Sequence, residues 1–246
     1  QPSLATSLDK TPPSYSILLG AGASVTSGIQ TGASLVEGWR KEIYLKLSDD
    51  LEENYNNQCA IEYLKKEEGN WYNYNNEYSA LFEKKFDLPS QRRRFVENEV
   101  DSKLPSIGYS YLVSLANKGI FNTFYTTNFD DLINEAFYQF SHVRPILCAH
   151  DSSINGIAIN TTIPKIIKLH GDYLFDDIKS TLRETESLEI NIKDKLIEFC
   201  KEFGLVVIGY AGHDRSIMDV LHYLLKSESH LKNGLYWCLR EEDEIN

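Results

Sequence analysis

Apolar residues in this chain come in short runs that alternate with longer stretches of helical spacing. Ser14 to Leu19 is short, apolar and ends at Gly20, which predicts a buried strand. After a glycine-rich turn, Leu35, Trp39, Ile43 and Leu47 recur on one stripe and predict a helix over Ser34 to Leu47. The alternation resumes at Pro105, which leads into a helix over Ile107 to Lys118 that Gly119 ends. Phe121 to Tyr125, Lys165 to Leu169, Leu205 to Ile208 and Leu235 to Leu239 predict further strands. Asp130 to Phe140, Ile190 to Phe203 and Ser216 to Lys226 predict helices among them. Strands alternating with helices imply an α/β fold, a parallel sheet with helices on both faces. In such sheets ligands sit beyond the carboxyl ends of the strands.

The pattern breaks between residues 48 and about 104, a polar segment rich in Asn, Tyr and Glu. Helical patches at Cys59 to Lys66 and Arg92 to Val100 make it a mostly helical insertion or cap. Within it, Gly69 to Tyr78 reads as a surface loop or as a lid whose aromatics close over a nucleotide. Arg92, Arg93 and Arg94 form the one basic cluster, read as a solvated helix face or as a phosphate or subunit contact.

Composition narrows the function classes. With 246 residues, 42% hydrophobic and 25% charged, the chain suits one soluble globular domain with an insertion. A net charge of −11 repels phosphate backbones, which argues against nucleic acid as the main ligand. No apolar run approaches the roughly 18 residues that cross a bilayer, and no signal peptide is visible. Cys59, Cys148, Cys200 and Cys238 are scattered with no Cys-x-x-Cys pair, so a zinc ribbon is not expected and a cytoplasmic location is the default. The start at Gln1 and the acidic run to Asn246 suggest a piece of something longer.

Four polar motifs fall at strand ends. Gly20-Ala21-Gly22-Ala23-Ser24 lets a backbone approach a pyrophosphate, whose charge successive amides can cradle. It is not the dinucleotide fingerprint of hydride-transfer enzymes, since Val25 holds the third glycine position and a helix replaces the second strand. Thr126-Thr127-Asn128-Phe129-Asp130-Asp131 carries more polar groups than the cap of one helix requires. Lys168-Leu169-His170-Gly171-Asp172 offers a histidine that is either structural or exposed to the cleft. In Gly209-Tyr210-Ala211-Gly212-His213-Asp214, Asp214 either binds ribose hydroxyls or caps the next helix.

In this order the motifs resemble the sirtuin-like (Sir2-like) domains of bacterial defence systems. The likeness runs from about Tyr15 to Tyr223, includes Ser27-Gly28-Ile29 after the first motif, and skips the insertion. It implies a Rossmann-like sheet and NAD+ as substrate. By resemblance, Gly20 to Ser24 hold the phosphates and Thr127 is among the residues that bind NAD+. Asn128 and Asp130 stand by the nicotinamide ribose and carboxamide, and His170 is the base. Gly209, Tyr210 and Asp214 lie by the adenosine half, with His213 the competitor to His170. Protein-deacylating sirtuins carry a four-cysteine zinc module after the histidine motif, where this chain has only Cys200. They also carry a Phe-Arg pair after the first motif, where this chain has Ile29 and Gln30. Both departures point to an NAD+ glycohydrolase that depletes NAD+ as an abortive-infection effector. Relatives of that kind work as homo-oligomers or with an ATPase or sensor module, so a partner beyond residue 246 is expected. The rival readings are a protein deacylase, a cyclase with the same first step, and a non-catalytic NAD or ADP-ribose sensor.

Elemental analysis of the purified protein is expected to find no stoichiometric zinc. About one zinc per chain, lost together with activity on chelation, would revive the deacylase.

Overall fold

The computed structural model describes residues 13–149, 151–158, 161–170 and 190–241. Six parallel strands form one sheet: β1 (Tyr15–Leu19), β2 (Phe121–Thr126), β3 (Ile146–Cys148), β4 (Lys165–Lys168), β5 (Gly204–Ile208) and β6 (Leu235–Cys238), in the order β3-β4-β2-β1-β5-β6. The register pairs Leu19 with Thr126 on one side and Ile208 on the other, and Thr126 with Lys168. Four adjacent strands therefore end in one row, and each of the four polar motifs begins at it or just past it.

Side chains alternate across the strands and feed two cores. Ile17, Leu19, Phe124, Ile166 and Val206 face Tyr109 and Val113 of helix α5 (Ile107–Asn117) and Ile133 and Phe137 of α6 (Leu132–Phe140). Leu18, Tyr125, Ile167, Leu205 and Val207 face the other way, onto Leu196 and Phe199 of α8 (Ile190–Glu202) and Ile217, Val220 and Leu224 of α9 (Arg215–Leu225). This is the Rossmann-like α/β architecture expected, with helices on both faces. One strand escaped the sequence reading. The edge strand β3 is three residues long and grades from exposed to buried, too short to show a period. The short helix α7 (Asp151–Ile154) after it was missed for the same reason. Among the described residues, no helix is long and apolar enough to cross a membrane.

The insertion folds as α2 (Asn57–Glu67), α3 (Glu77–Lys85) and α4 (Pro89–Val100) against α1 (Gly32–Leu47). It has its own core of Trp39, Ile43, Leu64, Tyr72, Leu81, Phe82 and Val96, with Trp39 stacked on Phe82 at 5.0 Å. Leu47, expected on the buried stripe of α1, is exposed. Tyr72 is buried in this core, and Trp71 and Tyr78 pack against it. Those three aromatics therefore belong to the insertion's own core. In the basic cluster, Arg92 donates to the carbonyl of Phe86 at the end of α3, and Arg93 pairs with Glu97 one turn on. Both contacts are intramolecular.

Arg40 ties α1 to the insertion. Its guanidinium is buried and donates to both oxygens of Glu77 and to Asn57 Oδ1, while the Tyr72 hydroxyl also donates to Glu77. Removing one partner of such a buried, hydrogen-bonded pair strands the other charge. Arg40→Ala is expected to cost about 3–5 kcal/mol by denaturant unfolding. A loss below about 1 kcal/mol, the worth of a surface pair, would show that the insertion does not depend on it.

Candidate active site

The first and fourth motifs interlock through their backbones. Gly20 N donates to Ile208 O at 3.0 Å and Gly22 N to Gly209 O at 2.8 Å. A Cβ on Gly20 would lie 2.4 Å from Tyr210 Cα, and one on Gly209 would lie 2.3 Å from Ala23 N. Gly209 also has φ +66°, the left-handed region. These glycines thus have a packing reason to be there, apart from any pyrophosphate. The amides of Gly20, Gly22 and Ala23 already donate to protein carbonyls, Ala23 to Gly20 O at 2.9 Å, so they do not form a free cradle. Ala21 and Gly22 are exposed, at the start of a 3-10 helix over Ala21–Ser27.

The second motif is wired into the first by a buried hydrogen-bond chain. Ser24 Oγ donates to Asp130 Oδ2 at 2.7 Å, which commits its only proton. The Tyr109 hydroxyl, 2.9 Å away, is then the donor to Ser24. Asn128 Nδ2 donates to Gly20 O at 3.1 Å and to Ser24 Oγ at 3.0 Å. A carbonyl can only accept, so the Gly20 contact fixes which way the Asn128 amide faces. Its backbone N–H donates to Thr126 Oγ1 and that of Thr127 to Leu19 O. Asn128 Oδ1 is buried and has no hydrogen-bond partner.

Asp130 is buried, and both its oxygens accept protein hydrogen bonds, the second from Leu132 N at 3.1 Å. Burial pushes the Tyr109 hydroxyl up, and the Asp130 charge adds to it, so the ring stays a neutral donor.

Tyr109 was not singled out in the sequence, and Lys168 stood there only as the first residue of the third motif, without a role. Lys168 is fully buried and donates to the carbonyls of Phe129 and Asp130 at 3.2 and 2.8 Å, with Asp131 3.7 Å away. It pins the loop that carries Asn128 from the neighbouring strand. The signal was there: a lysine ending the apolar run of β4 has to find oxygens.

His170 follows β4 and is buried at 5% exposure; Gly171 and Asp172 of its motif lie outside the described residues. Its Nε2 pairs with the carboxylate of Asp214, which follows β5. Asp214 is also the N-cap of α9, and its other oxygen accepts from Ser216 N at 3.0 Å, Ser216 Oγ at 2.7 Å and Ile217 N at 3.4 Å. Burial acts to raise the Asp214 carboxyl. The His170 contact, Ser216 and the Ile217 amide outweigh it and hold the group below the usual carboxylate range. His170 Nδ1 is buried with no hydrogen-bond partner. His213 is exposed.

Tyr210 is buried and stacks on Trp237 of β6 at 5.8 Å, and the Trp237 indole donates to Tyr210 O at 3.0 Å. Among the described residues, no group of three or more His, Cys, Asp or Glu side chains is placed to hold a metal ion.

Residues 122–246, just over half of the chain, match the family description of the SIR2-like domain. A solved structure described as "The Structural basis of Sirtuin Substrate Affinity" aligns with a TM-score of 0.45 at 16% identity, covering 89% of this chain and 81% of the other. No curated protein matches.

Gly209→Ala should be poorly tolerated. The overlap with Ala23 costs about 1–3 kcal/mol and the left-handed backbone roughly 1–2 kcal/mol more. A thermal melt equal to wild type would show that the two loops do not interlock.

Proposed function

The chain belongs to the SIR2-like domain family, whose function is NAD-related, and from that premise we propose that it is an NAD+ glycohydrolase releasing nicotinamide and ADP-ribose. The observation that supports this reading most is the pair of buried, unpartnered acceptors, Asn128 Oδ1 and His170 Nδ1. They lie two residues beyond Thr126 and Lys168, which are register partners on adjacent strands. A buried acceptor without a donor costs about 1–3 kcal/mol, so the site suits a ligand that brings donors. The vicinal hydroxyls of a ribose, or one hydroxyl and a water, meet that need.

The leaving nicotinamide of NAD+ is already cationic and needs no general acid. The C1′–N bond breaks, its electron pair goes to the pyridine nitrogen, and positive charge develops at C1′. Asn128 cannot titrate, so it orients the ribose or the attacking water through Oδ1. The water adds at C1′ and its proton passes to His170, the base. Asp130 keeps the Ser24–Asn128 arrangement in place and lies by the carboxamide. In this reading Gly20 to Ser24 and Thr127 lie along the phosphates, and Gly209 and Tyr210 along the adenosine half. Such a hydrolase would drain its own cell's NAD+, which fits an antiviral effector in the cytoplasm held in check by oligomerisation or by an ATPase or sensor partner. A non-catalytic sensor has no use for a histidine backed by a carboxylate.

Asn128→Ala and His170→Ala are each expected to lower turnover by about 10²–10⁴-fold, with folding checked by thermal melting. The readout is free nicotinamide at saturating NAD+. Near-normal turnover in folded His170→Ala protein, alongside a dead His213→Ala protein, would move the base to the fourth motif.

A further inference from the structure

His170 and Asp214 follow strands that are not neighbours. β4 and β5 are separated in the sheet by β2 and β1, yet the imidazole Nε2 and the Asp214 carboxylate are in direct contact. The contact is built from both sides. Asp214 Oδ1 is held by two amides and a hydroxyl at the start of α9, and Oδ2 is turned to the histidine. The carboxylate can only accept, so Nε2 carries the proton and donates. In the neutral ring Nδ1 is then the lone-pair nitrogen, and it is the atom left without a partner.

The geometry points to Asp214 as the positioning residue of His170: it fixes the imidazole in the Nε2–H tautomer, turns Nδ1 towards the substrate as the base, and stabilises the imidazolium formed after proton transfer. This rests on the glycohydrolase reading, and it replaces ribose binding as the role of Asp214. The proton balance is simple. Nδ1 takes one proton from the water or hydroxyl that attacks C1′, the ring becomes a cation beside the Asp214 anion, and the proton later leaves to solvent. Asp214 stays ionised throughout.

Asp214 also caps α9, so the test has to separate the two roles. Asparagine caps a helix about as well as aspartate, but it puts a neutral amide against Nε2. Asp214→Asn should therefore melt close to wild type and lose about 10²–10⁴-fold in kcat, with KM within a few-fold. The same change in the His–Asp pair of serine proteases drops turnover about 10⁴-fold through the wrong tautomer. In a His170→Ala background, Asp214→Asn should cost almost nothing more, because groups that act as a unit are not additive. Wild-type kcat in Asp214→Asn, a raised KM with kcat unchanged, or a full further loss on top of His170→Ala would each overturn the proposal. Nitrogen-15 NMR of the His170 ring gives a readout independent of turnover. The Nε2–H tautomer in wild type, altered by Asp214→Asn, is expected, and a wild-type Nδ1–H tautomer would overturn the assignment. If wild-type protein releases no nicotinamide, the glycohydrolase reading fails, and the NMR result still decides whether Asp214 orients His170.

Discussion

Two neighbouring loops at one edge of the sheet lie closer together than side chains would allow. Here Gly20 and Gly22 of one loop lie against Gly209 and Tyr210 of the other, with amide–carbonyl bonds between them. That contact sets where Ser24 stands. Ser24 in turn holds the Asn128 amide and the Asp130 carboxylate, and Asn128 returns a hydrogen bond to Gly20 O. A methyl group at Gly20 or Gly209 would therefore disturb the Gly20–Ser24–Asn128 arrangement. Preorganisation of this kind depends on the donors of the chain being satisfied, since an unmade bond in a buried polar network is costly.

The four strand-end motifs were legible because each is a run of small or polar residues directly after an apolar run, where a parallel sheet places its ligand edge. What joins them was not legible. The Ser24–Tyr109 and Asn128–Gly20 bonds link residues 85 and 108 positions apart, and no local period reports such pairs. The same holds for Asp214, whose two readings as cap or ligand group were open in the sequence. The cap is made, and the second oxygen goes to a histidine 44 residues away. The glycines were seen for the right reason, close backbone approach, but the backbone that approaches is the chain's own. The aromatic stretch at Gly69 to Tyr78 shows a different limit. Composition signals that aromatics will be buried, and only packing decides whether a core or a ligand buries them.

The insertion is more than an appendage, because its core reaches the second motif. Phe129, between Asn128 and Asp130, packs against the cluster of Trp39, Leu64, Phe82 and Val96. Lys168 holds the same residue from the sheet side through the Phe129 carbonyl. The loop is thus gripped by the strand on one side and by the insertion's aromatics on the other. Arg40, Glu77 and Tyr72 in turn fasten the insertion to α1, and α1 follows directly from the first motif. A shift in the insertion would reach Asn128 through packed side chains that sit in discrete rotamers rather than yielding smoothly.

The division of hydrogen-bonding roles explains why such a site can stay rigid before any ligand arrives. Its donors are committed inside the protein: both protons of the Asn128 amide, the Ser24 and Tyr109 hydroxyls, and the ring nitrogen that faces Asp214. Two buried side-chain acceptors are left without a hydrogen-bond partner here, on Asn128 and His170. Spent donors cannot rotate to meet a ligand without breaking a bond in the network, so the remaining lone pairs point where the fold aims them. Selectivity follows from the same division. A ligand surface that offers only acceptors, such as a phosphate or a carboxylate, finds no partner at these two atoms, whereas one that brings protons does. Unsatisfied acceptors are a standing cost to the folded state, and sites that retain such strain are where a fold gives up stability for function.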